Sequence, residues 1–242
     1  MKMFSRFKSL SRAVHEEEEE EREHEEKMTR WCRRREGNND TRSCSITSLT
    51  VWRKSLLMSC KGFTVIDSAN GNLVYRVDNY IGAANHTHHI TLMDASGNSV
   101  LTIRRRRKLG VVDSWFVYEG EAGNQRKRRK SNSCKSSSET NSPICFVKKH
   151  VNILPAGNAN NVLAHVFRTD KRCVAFTIEG SYTHRTCKVL DECKRVLAEI
   201  KRKEADTKHV SFGMDIFQLV VQPGFDPAFA MALVLLLDQM FS

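Results

Sequence analysis

The segment Asp226-Pro-Ala-Phe-Ala-Met-Ala-Leu-Val-Leu-Leu-Leu-Asp-Gln-Met-Phe241 limits what this chain can fold into more than any other stretch. Asp226 is a favoured N-cap type and Pro227 suits the first helical position, so the segment opens as a helix. From Ala228 to Leu237 no face carries a polar side chain, so the helix has no side to turn to water. Those ten residues rise about 15 Å at about 1.5 Å each, half the roughly 30 Å of a bilayer core. A short helix that is apolar all round needs a sleeve of protein.

The rest of the chain supplies strands for one. From Leu49 the pattern is apolar–polar alternation, and one unit recurs: Phe63–Asp67 then Gly71–Val77, Ile90–Asp94 then Gly97–Ile103, and Cys187–Asp191 then Lys194–Ile200. Each unit is a strand ending in Asp, a tight turn and a second strand. Asp accepts turn hydrogen bonds, and Gly supplies positive φ. Lys194 stands where the other units have Gly, which predicts a different third turn. In the second strands Val77, Ile103 and Ile200 share a dry face, while Arg76, Thr102 and Glu199 share a wet one. Further strands are expected at 49–58, 112–119, 144–150, 161–168, 172–180 and 215–221. The expected fold is all-β, a closed antiparallel barrel of about twelve strands, with the helix at 226–241 filling its lumen.

Residues 1–48 read as a disordered charged tail and 49–242 as the barrel domain. The tail begins with Phe4, Phe7 and Leu10 among basic residues, the pattern of a short membrane-surface helix, and continues with nine glutamates in 16–26. It holds 11 basic and 11 acidic side chains, so residues 49–242 carry 39 − 11 = 28 basic against 28 − 11 = 17 acidic and account for the whole net charge of +11. A cationic folded part favours anionic partners: membrane lipid first, acidic protein or nucleic acid as alternatives. Residues 120–143 interrupt the strands with a flexible basic and Ser-rich loop of 24 residues.

Two cationic runs are candidate sites. Arg104, Arg105, Arg106, Arg107 and Lys108 follow Ile103 directly. Burying Arg105 and Arg107 on the dry face would be costly, so the strand is expected to end near Arg104, with the run at a rim that grips lipid phosphates. Arg126, Lys127, Arg128, Arg129 and Lys130 form a nuclear-import candidate, and Ser131 beside them suits a basic-directed kinase. His86, His88 and His89 lack further ligands at metal-binding offsets, so no metal or other cofactor is expected. No catalytic residues are expected either, since neither a phosphate cradle nor a nucleophile–base arrangement is visible. The eight cysteines form no C-x-x-C pair and no secretory signal precedes them, which predicts free thiols and an intracellular protein, cytoplasmic or peripheral at the plasma membrane. The nucleus is the alternative.

The run Leu49–Leu57, the block Phe63–Asp67 with Gly71–Tyr80, and the block Leu92–Gly97 with Leu101–Arg105 together resemble the plant LURP-one-related family. Ile178–Gly180, Lys188–Asp191, Ala198–Arg202 and the apolar C-terminus extend the resemblance over residues 49–242. It implies a tubby-like barrel around a hydrophobic C-terminal helix, akin also to phospholipid scramblases. It further implies a role in plant defence, and its fold relatives include membrane-tethered transcription regulators that bind phosphoinositides. No family active site is carried over. The leading expectation is a monomeric, non-enzymatic module that binds anionic membrane lipid; the alternative is a transcription-regulator-like protein acting through its basic loop and tail. Scramblase-like lipid transport is disfavoured by the short terminal helix.

Overall fold

The computed structural model describes residues 45–58, 60–80, 89–106, 114–121, 142–151, 161–168, 173–204 and 212–242. The expected Arg107 and Lys108, the histidines 86 and 88, the run 126–130 with Ser131, and the tail up to residue 44 lie outside them.

Among the described residues twelve strands are formed: β1 (Thr47–Trp52), β2 (Cys60–Asp67), β3 (Leu73–Tyr80), β4 (His89–Asp94), β5 (Ser99–Arg106), β6 (Ser114–Glu119), β7 (Cys145–Lys149), β8 (Val162–Arg168), β9 (Val174–Ser181), β10 (Thr186–Leu190), β11 (Val196–Arg202) and β12 (Ile216–Val221). Each pairs antiparallel with its chain neighbours, and β1 closes on β12 with Thr47 opposite Val221 and Trp52 opposite Ile216. The helix α1 (Pro227–Phe241) runs through the lumen, its residues Ala228 to Asp238 all buried. Closure pairs every strand on both sides, so among the described residues no sheet edge remains to recruit another chain.

Local chemistry explains these elements. Asp226 caps α1 by accepting from the Phe229 amide at 2.9 Å, and Pro227 occupies the first turn. Inward residues of the strands, among them Leu49, Val65, Leu92, Leu101, Val117, Val147, Val166, Ile178 and Leu219, are at most 1% exposed against the helix face. Phe176, Phe225 and Phe229 meet edge to face near the helix N-terminus, with centroids 5.6–6.1 Å apart. Among the described residues no helix is long and apolar enough to cross a membrane.

Five details depart from the sequence reading, four in the strands and one in a turn. The stretch 49–58 is not one strand: β1 stops at Trp52, and residues 53–58 form a connection to β2. The strand β5 does not end near Arg104 but continues to Arg106. Arg105 takes the inward register opposite Trp115, at the end of the barrel, with its guanidinium 5.4 Å from that indole ring. A cation over an aromatic face at a barrel mouth avoids the full cost of burial in hydrocarbon. Thr102, on the expected wet face, is buried, and its hydroxyl donates to the Gly120 carbonyl at 2.6 Å.

The third turn repeats the second. Gly97 donates to the Asp94 carbonyl at 3.1 Å and Lys194 to that of Asp191 at 3.0 Å. Lys194 adopts φ +60°, and Gly97 φ +90°. The Asp carboxylate accepts the amide four residues on at 2.8 Å in both turns. The Asp cap fixes the turn, and Lys194 accepts a left-handed backbone to close it.

Candidate anion-binding face

Antiparallel closure sorts the strand termini into two ends. One end collects the finishes of odd strands and the starts of even ones; α1 begins at the other end, after β12, and finishes here. The side chains sort with them. The end where α1 finishes carries Arg53 and Lys54 after β1, Lys61 early in β2, Arg104–Arg106 closing β5, Lys148 and Lys149 closing β7, and Arg202 and Lys203 closing β11. Asp78, Glu204, Asp215 and Asp238 lie at this end as well, and the opposite end carries Asp67, Asp94, Glu119, Glu121, Asp191 and Glu192. Arg168, Lys194 and Arg195 also lie there; Arg195 and Arg168 are bridged to Asp191 and Glu192, and Lys194 to Glu179.

Part of this charge serves the helix. Lys149 Nζ donates to the Met240 carbonyl at 2.9 Å and lies 4.3 Å from the Phe241 ring centroid, against the partial negative charge of the helix C-terminus. Arg53 Nε lies 3.0 Å from the Asp238 carboxylate, which also receives the Tyr182 hydroxyl at 3.0 Å and that of Ser242 at 2.8 Å. Arg185 is buried with φ +56°. Its guanidinium lies 4.2 Å from Tyr182 and 4.3 Å from Phe217, and donates to the carbonyls of Met214 and Tyr182. Burial drives the Tyr182 hydroxyl well above the ordinary tyrosine range, aided by the Asp238 charge, so it stays a hydrogen-bond donor.

The remaining cations, apart from the inward Arg105, face outward. A cleft of about 600 Å³ opens beside the helix end, lined by Arg53, Lys54, Lys61, Phe63, Ile90 and Asp215 among others. Around the wall, Arg104, Phe116, Phe146 and Phe167 stand opposite one another across β5 to β8, and Arg106, Ser114, Lys148 and His165 form the next row. Phe146 and Phe167 stack with centroids 4.9 Å apart, and Lys148 Nζ lies 5.4 and 5.3 Å from them. Arg104 lies over Tyr118 and Arg106 over Phe116, at 5.6 and 5.9 Å. The rings hold the long cationic side chains upright against the wall, which lowers the entropy lost when they grip a ligand. Burial, with the charges of His150 and Lys194, holds the His165 imidazole below its ordinary value.

The described members of the Arg104 run therefore join Lys61 of β2, Lys148 of β7 and Lys54 of the connection between β1 and β2. Lys54, Lys61 and Lys148 form no run in the sequence, because they stand as one or two cations on separate elements. Aligning strand ends by the direction of the chain is the signal that groups them.

Other chemistry is sparse. Among the described residues Cys60, Cys145, Cys173, Cys187 and Cys193 take part in no disulfide. Cys187 is buried, which pushes its thiol up to about 12 and keeps it protonated at neutral pH. His89 opens β4 and is exposed; among the described residues no three His, Cys, Asp or Glu side chains are placed to hold a metal ion.

A closed twelve-stranded antiparallel barrel filled by its own C-terminal helix defines the class of protein. An X-ray structure of an Arabidopsis thaliana protein shares this fold with a TM-score of 0.51 at 24% identity, over 83% of this chain and 95% of that one. The family model described as LURP-one-related matches residues 47–238, and the chain belongs to that family. Among its relatives, LURP-one-related protein 17 of Arabidopsis thaliana is 47% identical over 199 residues, covering 81% of this chain and 84% of that protein. LURP-one-related protein 8 of the same plant is 44% identical over 195 residues, or 80% and 86% of the two chains.

Proposed function

We propose that this protein is a non-catalytic binding module for phosphate-bearing anionic membrane lipid, phosphoinositide being the favoured headgroup. The observation that carries this reading is the segregation of charge along the barrel axis. Lys54, Lys61, Arg104, Arg106 and Lys148 gather at one end, where the cations outnumber the carboxylates Asp78, Glu204, Asp215 and Asp238, while the other end is rich in carboxylates. Such a charge distribution orients the molecule in the field of an anionic leaflet before contact, and phosphate oxygens suit the forked donors of Arg. Each cation near such a surface contributes about 1 kcal/mol, so a handful gives reversible attachment without an anchor. The family resemblance adds a defence-related setting for this module.

Flotation with phosphatidylcholine vesicles, alone or containing phosphatidylserine or phosphoinositide, tests the reading. Binding to the anionic vesicles is expected to fall sharply with Lys54→Glu and Lys61→Glu together. Equal flotation of the parent and this variant would remove the cationic end from the account.

A further inference from the structure

The connection between β1 and β2 has an unusual combination of properties: its backbone is fixed while its apolar side chains point outward. Leu56 is 51% exposed, Leu57 37% and Met58 fully so. The backbone is not loose. Buried Ser55 donates its hydroxyl to the Asp78 carboxylate, and the Ser55 Oγ accepts the Leu57 amide at 3.0 Å. The Thr64 hydroxyl donates to the Lys54 carbonyl at 2.7 Å, and the Arg53 amide to the Asp215 carbonyl at 2.8 Å. The Cys60 amide closes the turn on the Leu57 carbonyl at 3.1 Å. Gly62 lets this base pack down, since a Cβ there would lie 1.7 Å from the Val77 carbonyl oxygen and 3.3 Å from Ser55. Leu56, Leu57 and Met58 thus form a contiguous apolar tip on a fixed base, the kind of exposed patch that marks an interaction site.

Position adds to the argument. Of the large apolar residues exposed on the molecule, Trp52, Leu56, Leu57, Met58, Val151 and Met214 lie at the cationic end, and only Ile46 and Val174 at the other, among the described residues. Lys54 and Lys61 flank the prong, with Lys54 Nζ 5.3 Å from the Trp52 ring. Apolar tips ringed by cations match a bilayer surface, where headgroups are anionic and the acyl boundary beneath them is apolar. A protein partner would have to supply both layers in the same order.

We infer that the 54–58 connection is a membrane-inserting prong: Leu56, Leu57 and Met58 enter the acyl boundary of an anionic leaflet while Lys54 and Lys61 meet its headgroups. This rests on the lipid-binding reading above and adds the docking pose. The barrel stands with the finish of α1 toward the membrane and its carboxylate-rich end toward solution.

The test compares three forms of the full chain: parent, Leu56→Ser with Leu57→Ser and Met58→Ser, and Lys54→Glu with Lys61→Glu. Each is titrated with phosphatidylcholine vesicles containing phosphoinositide and with soluble inositol trisphosphate. The serine form is expected to lose vesicle affinity by about tenfold, roughly 1.4 kcal/mol, while keeping its affinity for the soluble headgroup. Should the serine form hold vesicles like the parent while the glutamate form does not, insertion is overturned and the anionic-lipid reading stands. If the serine form loses vesicles but the glutamate form does not, the prong stands as an apolar contact and the charge reading fails. No vesicle binding by the parent overturns both. A gain-of-function form guards against misfolding: Met58→Trp is expected to bind vesicles more tightly and to show a blue shift in the added emission, and an unshifted, equally weak form speaks against insertion.

Discussion

The Tyr182 hydroxyl donates to the Asp238 carboxylate across 3.0 Å, joining the turn between β9 and β10 to the last full turn of α1. The same carboxylate receives Arg53 from the end of β1 and Ser242 from the chain terminus. A single acid thus ties the finish of the helix to two walls of the barrel. Hydrogen bonds to charged groups contribute about 1.5–3 kcal/mol, so Tyr182→Phe is expected to cost that much in urea unfolding. A loss below about 0.5 kcal/mol, ordinary for a surface change, would show that the tie does not hold the helix.

Alkaline pH should weaken the fold through two groups. Burial raises Tyr182 above its ordinary 10.0 and Cys187 from 9.0 to about 12. The folded chain holds both protons more tightly than the unfolded one. Their contribution is therefore complete below pH 9 and is lost progressively as pH climbs through the folded values. Unfolding free energies measured across this window are expected to fall, and to fall less steeply in Tyr182→Phe. Parallel slopes in the two proteins would exclude Tyr182 as a source.

Lys194 inverts the usual preference between alanine and glycine. Its φ of +60° costs a side-chain-bearing residue about 1–2 kcal/mol, which Gly does not incur. Both Lys194→Ala and Lys194→Gly remove the exposed pair with Glu179, so that loss cancels in the comparison. The glycine form is expected to be more stable than the alanine form by about 1 kcal/mol. Calorimetry that ranks alanine higher would contradict the turn.

The helix is the core of the barrel, and its residues should behave so. Leu235, with no exposure, is expected to cost about 2–5 kcal/mol when cut to Ala. Gln239, exposed on the same helix, should cost less than about 0.5 kcal/mol. Similar losses at the two positions would place the helix outside the sleeve.

Salt should separate attraction from recognition on the cationic wall. Arg104→Ser with Arg106→Ser is expected to weaken attachment to phosphatidylserine vesicles by about 2 kcal/mol at low ionic strength. The difference should shrink as added salt shortens the screening length. A deficit that persists undiminished in high salt would mean specific headgroup contacts rather than bulk attraction.

The architecture was legible because its causes are local. Alternation at period two sets which strand faces are dry, Asp and Gly set the hairpins, and the all-apolar run Ala228–Leu237 of the helix admits no exposed position. Local rules failed where a distant group intervened. The strand β5 continues past Arg104 because Trp115, ten residues away on β6, offers Arg105 a ring face. Thr102 is buried because Gly120 supplies a carbonyl for its hydroxyl. Trp52 ends β1 early because Ser55 finds Asp78 on β3 and anchors the prong.

By itself the sequence determined a barrel, its filling and its family, because hydrophobic periodicity and turn chemistry act between residues close along the chain. Only the tertiary structure decided that Lys54, Lys61, Arg104, Arg106 and Lys148 share one end with an apolar tip. Closure brings every second strand's finish to the same mouth, and charge acts through the space so created, whatever the separation in sequence.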